Sequence, residues 1–174
     1  MATKKSIYIW IILIIAAWIL GSATQAGAQT YTLKCRNTGH FPKLHMIEVG
    51  DVPGHIVLVG ETAGVMSCDD GSVPTYSGKF MGDLTKGSGK SQGYGVVTFE
   101  DGSTQWFKFQ QTITPDPDGK TASWEGTGEY INGTGRFEGI QGGITFTGKR
   151  LALFPGVGAQ FYTDNTNNYT LPSK

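Results

Sequence analysis

Few side chains in this sequence are of a kind that does chemistry, and their spacing narrows the chemistry further. The histidines are His40, His45 and His55, all ahead of Glu61. Imidazoles ligate transition metals, but no two have the i, i+2 spacing that sets a pair on one face of a strand. No metal site is therefore expected. Neither a Gly-x-Ser-x-Gly elbow nor a Ser-His-Asp pattern marks a nucleophile. Glu125 and Glu129 have the chemistry of a glycosidase pair, yet period-two order sets them opposite Trp124 and Tyr130, on the face left to water. Glu61 shares a strand face with His55, Val57 and Val59. Turned inward, its carboxyl would have a raised pKa and suit proton transfer. It is the candidate catalytic group, with an exposed place near the strand end as the alternative.

Two further motifs have competing readings. Lys86-Gly-Ser-Gly-Lys-Ser91 superficially resembles a phosphate loop, but Leu84 stands where the first glycine is needed and a strand follows instead of a helix, so nucleotide binding is rejected. Arg136 follows a glycine corner. It either bridges carbonyls or carboxylates there, or binds an anionic group at a barrel mouth.

These residues are carried by strands. Trp124, Gly126, Gly128 and Tyr130 recur at period two, and Ile144 and Phe146 continue the alternation after a glycine turn. His55 to Ala63 is apolar on both faces at its centre, which fits a wall covered on both sides or one lining a cavity. Val73 to Leu84 is a strand with Tyr76 and Phe80 on one face. Gly93–Glu100 and Ser103–Thr114 form a hairpin about Asp101-Gly102, with Phe107, Phe109 and Ile113 on one face. Lys43 to Val49 is an earlier strand and Ala159 to Thr163 a short closing one. Gln29 to Pro42 reads as an irregular arm tied down by Cys35. Gly87, Gly89 and Gly93 repeat the spacing of Gly133, Gly135 and Gly139, which suggests two similar corners. Helix is expected only as one turn near Arg136 to Gly139. The count is seven or eight strands in an antiparallel barrel or sandwich, and eight strands leave room for packed side chains or one small ligand.

Composition sets the address. Lys4 and Lys5 precede an uncharged run of 14 residues, Ile7 to Leu20, and Ala26-Gly27-Ala28 offers a cleavage site before Gln29. That is the layout of a secretory signal peptide. The run is short for a membrane span, so a membrane association is expected only if the segment is kept. Residues 29–164 are then a barrel domain and 165–174 a flexible tail. The part after residue 28 has 12 basic and 14 acidic residues, with no basic field for nucleic acid or an anionic membrane. The secreted or periplasmic location makes a Cys35–Cys68 disulfide the expected state of the two cysteines.

The stretch GTGRFEGIQGGITFTG, preceded by WEGTGEYI and by a TFEDGS hairpin, resembles the allene oxide cyclase-type barrel superfamily, which includes dirigent proteins and small bacterial barrels. The likeness covers about Gly87 to Lys149, and GDVPGH at Gly50 to His55 resembles the opening of the bacterial members. It implies an all-β, calycin-like antiparallel barrel of about eight strands, often oligomeric, with an apolar cavity open at one end. Enzymes of that superfamily guide cyclisation or coupling mostly by confinement, and no cofactor is implied. The matching motifs are corners of the fold, so they bring no catalytic residue with them. The cavity is expected to bind a small apolar molecule through Tyr94, Phe107, Phe109, Trp124, Tyr130 and Phe146. A cyclase using confinement, with Glu61 as an acid, and a solid structural barrel are the alternatives.

Overall fold

The computed structural model describes residues 28–117, 119–151 and 159–173. The expected signal peptide and its expected cleavage site lie outside them, apart from Ala28 itself. The strands are β1 (Gln29–Glu48), β2 (His55–Cys68), β3 (Thr75–Thr85), β4 (Ser88–Thr98), β5 (Thr104–Pro115), β6 (Ala122–Gly133), β7 (Gln141–Arg150) and β8 (Gln160–Leu171). Each pairs antiparallel with its neighbour in sequence, and β8 returns to β1, closing an eight-stranded barrel in simple up-and-down order. Closure leaves no unpaired edge. The helical turn Gly135–Phe137, between β6 and β7, is where one was expected.

Both ends of the chain are more regular than the sequence suggests. Gln29 to Pro42 is not an irregular arm: it is the first two-thirds of β1, bonded to β2 and β8. The expected strand at Lys43 is its continuation past a bulge, since three steps from His40 to Lys43 face two steps from Ala63 to Glu61. The extra residue reverses the parity, so Leu33, Cys35 and Phe41 face inward before it, and Leu44 and Met46 after it. Likewise, residues 165–171 are no tail. They continue β8, and Thr163, Asn165, Asn167 and Tyr169 form its inward row.

The two glycine series are not equivalent corners either. Lys86-Gly87 is a two-residue hairpin turn with both residues at positive φ, 52° and 80°, the geometry that matches strand twist. Gly135 and Gly139 sit in the longer β6–β7 connection at the other end of the barrel.

The core is concentrated at the end that carries the β2–β3, β4–β5 and β6–β7 connections. Phe99, Phe137 and Ile140 come from those connections and pack with Leu33, Met66, Val97, Tyr130 and Tyr169. The Phe99 and Phe137 rings lie 4.7 Å apart, and Tyr31 stacks on Tyr169 at 5.2 Å. Cys35 and Cys68 are direct register partners on β1 and β2 and form the expected disulfide. The bridge stabilises the barrel by about 3–4 kcal/mol on the chain-entropy model, and it fits an oxidising extracellular or periplasmic setting.

Candidate functional site

The inward rows of the strands alternate rings with glycines, and the register sets each ring opposite a glycine of the next strand. Gly60 pairs with Phe80, Gly93 with Phe109, Gly95 with Phe107, Gly126 with Phe146, and Gly148 with Trp124. A Cβ on Gly60 would come within 2.6 Å of the Phe80 ring, so the ring lies flat on the bare backbone. Rings held against the wall in this way do not meet in the middle. They leave a chamber of about 480 Å³, within the range of small-molecule sites.

The chamber runs from mid-barrel to the end that carries the β1–β2, β3–β4, β5–β6 and β7–β8 connections. Its apolar wall includes Leu58, Phe80, Phe107, Phe109, Trp124, Phe146 and Phe161. Midway along the barrel the lining turns polar, with Asn37, Thr62, Tyr76, Asn165 and Asn167. The Thr62 hydroxyl donates to the Tyr76 oxygen at 3.0 Å. Burial pushes the Tyr76 phenol up, so it stays protonated. Asn167 donates to the Leu33 carbonyl at 2.9 Å and accepts from the Tyr130 hydroxyl at 3.0 Å. Asn37 is buried, with no hydrogen-bond partner for its Oδ1. At the mouth the lining includes Lys86 and Arg150. Among the described residues no carboxylate and no imidazole lines the chamber.

Of the expected ligand-binding residues, Phe107, Phe109, Trp124 and Phe146 line this chamber. Tyr94 does not: it lies between the inward Gly93 and Gly95, points outward and is 59% exposed. Tyr130 is inward but belongs to the packed end, where burial raises its phenol. Trp124 and Tyr130 do share the inner face.

Glu61 is on the outer face of β2, 3.5 Å from Lys43. The apolar outer residues beside it, Val57 and Val59, face solvent rather than a covering layer, and the inward row is Ile56, Leu58, Gly60 and Thr62. Its outward parity keeps its carboxyl out of the chamber, so the expectation of an inward acid does not hold. Glu125 and Glu129 are also outside, with Glu129 paired to Lys108. His40 and His45 sit on the outer side of β1. His55 is held elsewhere, with Nδ1 2.6 Å from Asp51 and Nε2 2.9 Å from Asp83. The Asp51 contact first, then Asp83, raises the imidazole pKa, and the same contact is the main cause that lowers Asp51. Arg136 is at the packed end. Its guanidinium lies 4.5 Å from the Phe99 ring and 4.9 Å from that of Phe137, with Asp101 at 3.7 Å, so its role is structural and it is not at the chamber mouth.

Arg150, Asn37, Asn165 and Asn167 were missed as lining residues. Arg150 ends the row Ile144, Phe146, Gly148, so period two alone places it inward. The asparagines offer no such signal, because polar residues at period two read as an exposed segment.

Fold and site together define a closed eight-stranded antiparallel β-barrel, packed at one end and hollow at the other. No protein-family model matches the chain, and a search of curated proteins finds no match. Among solved structures it is similar to the pterocarpan synthase dirigent protein GePTS1, at 15% identity and a TM-score of 0.49, over 86% of this chain and 94% of that one. It is also similar to the pterocarpan synthase dirigent protein PsPTS1, at 12% identity and a TM-score of 0.46, over 85% and 97% of the two chains. Likenesses at this level assign no residue and no activity to this chain.

Proposed function

We propose that this protein is an exported barrel of the allene oxide cyclase and dirigent type whose chamber binds a small, largely apolar molecule. One observation carries the reading. The inward row spends its large rings on glycine seats rather than on filling the centre, and about 480 Å³ stays open. A barrel with a purely structural role would gain stability by closing that space, because cavities cost packing energy. Phe107, Phe109, Trp124 and Phe146 supply the apolar contacts, with Phe80 and Phe161 beside them.

The cyclase reading has weaker support. With no carboxylate or imidazole among the described lining residues, the chamber lacks the side chains that most often move protons near neutral pH. A reaction in the chamber would rest on confinement alone.

Native mass spectrometry of protein purified from its own host tests the binding reading and reads subunit number in the same spectrum. Bound mass, or uptake of an added apolar probe that Trp124→Ala abolishes, is the expected result. Protein that carries nothing and takes up no probe would overturn it.

A further inference from the structure

The charges at the mouth of the chamber say more about what enters it. Over the whole chain acid and base balance, with 14 of each. The lining does not share that balance: its charged groups are Lys86 and Arg150, both cationic, with no described carboxylate among them. Among the described residues Arg150 has no ion-pair partner. One Nη donates to the Lys120 carbonyl at 3.2 Å; Nε is buried and closed to a ligand, and the other Nη has no partner among the described residues. Asp116, a described acid that feels the charge of Arg150, is engaged by Lys149 at 2.9 Å and by the Thr121 hydroxyl. A guanidinium at an apolar chamber with spare donors is suited to a planar anion.

Lys86 adds a second, independent observation. Among the described residues it is the non-glycine one with positive φ, at 52°. Asn or Gly occupies such a turn position at less cost. Its backbone N–H bonds the Gly54 carbonyl at 2.8 Å, fixing the turn against the β1–β2 connection. A lysine held in a costly backbone conformation at the rim points to a role for its charge.

We infer that the chamber takes a small amphiphilic anion, its apolar body against Phe109, Trp124, Phe146 and Phe161 and its negatively charged head at Arg150 and Lys86. This rests on the binding reading above and adds the sign of the ligand's charge to it. The head is a carboxylate, sulfonate or phosphate. The shared requirement is a compact anion that can accept from a guanidinium in a partly desolvated rim.

The test is titration calorimetry of the full protein with four compounds of one tail and different heads: octanoate, octanesulfonate, octanol and octylammonium. The two anions should bind about tenfold or more tightly than the alcohol, as expected for a charge-assisted hydrogen bond, and the ammonium most weakly. Arg150→Gln should bring the anions down to the level of the alcohol and leave the alcohol unchanged. Lys86→Gln should do the same to a smaller degree, and Arg150→Lys should keep part of the preference. Added salt should narrow the gap between anion and alcohol. Equal binding of all four heads, or an equal loss for octanol and octanoate in Arg150→Gln, would overturn the inference while leaving the chamber as a binding site. If no compound binds, the binding reading falls as well. The melting curve of each variant separates lost binding from lost fold.

Discussion

The two ends of this barrel are made from the same strands, and they differ in what the inward rows meet. At the packed end the rows run into apolar side chains supplied by the connections: Phe99 from β4–β5, and Phe137 and Ile140 from β6–β7. Arg136 covers the Phe99 and Phe137 rings from outside, and the disulfide ties β1 to β2 beneath them. At the other end the described connections bring Lys86, Gly87, Pro115 and Gly119 to the rim, and the rings stay on their glycine seats. The difference teaches that closure of the sheet and filling of the barrel are separate problems. Hydrogen bonding and period-two order solve the first along the whole length. Whether the centre is filled depends on what the connections put over it.

Aromatic truncation breaks the comparison most directly. Phe137 is 3% exposed at the packed end. Phe137→Ala should cost about 3–5 kcal/mol in denaturant unfolding, the usual price of a buried ring. Phe146→Ala, from a half-buried ring beside open space, should cost only about 1–2 kcal/mol. Equal costs for the two would mean that the hollow end is not hollow in solution. Next in size, the double change Cys35→Ser with Cys68→Ser should lower stability by about 3–4 kcal/mol, and reductant should do the same to the native chain.

Glycine seats at the hollow end come third. Gly126→Ala would press a methyl into the Gln110 carbonyl and the Phe146 ring at once. A loss of about 1–3 kcal/mol is expected, with weaker probe uptake as the ring is pushed into the chamber. A variant as stable as the parent and unchanged in uptake would show that the ring has no need of that seat.

The smallest effect concerns the clamp at the rim, where His55 joins Asp51 of the β1–β2 turn to Asp83 of β3. Contact with Asp51 and then Asp83 raises the imidazole pKa. Its contribution to stability is therefore complete below the ordinary histidine value and fades as pH rises through the raised one. Asp51 is lowered, mainly by the same imidazole, so its contribution is present above the ordinary carboxylate range and fades as pH falls through the lowered value. The clamp holds most firmly between those limits. Proton NMR titration of His55 should show the raised pKa, and Asp83→Asn should bring it down. An imidazole that titrates at its ordinary value in both proteins would rule the clamp out.

Much of the architecture is legible in the chain because strand faces follow from spacing alone. The Phe107–Ile113 row, the Trp124–Tyr130 row and the Asp101-Gly102 turn are where period-two order puts them. Glu61 and Tyr94 show the limit of that reasoning. Spacing assigns residues to two faces but does not say which face is inside, and on β2 and β4 both faces carry apolar side chains or rings. The asparagine-rich run to Leu171 failed for the opposite reason, because its inward row is polar at Asn165 and Asn167 and so carries no hydrophobic alternation.

The sequence by itself narrowed the strand count to seven or eight and determined several turn positions and the cysteine pairing, since each depends on neighbours a few residues apart or on a count of two. Only the tertiary structure decided where the space lies. The register of six different strands sets rings opposite glycines, and that pairing is invisible until the strands are side by side. It also decided which of the described charged side chains meet at the mouth. Arg150 and Lys86 are 64 residues apart in the chain, and it is closure of the barrel that brings both to one rim.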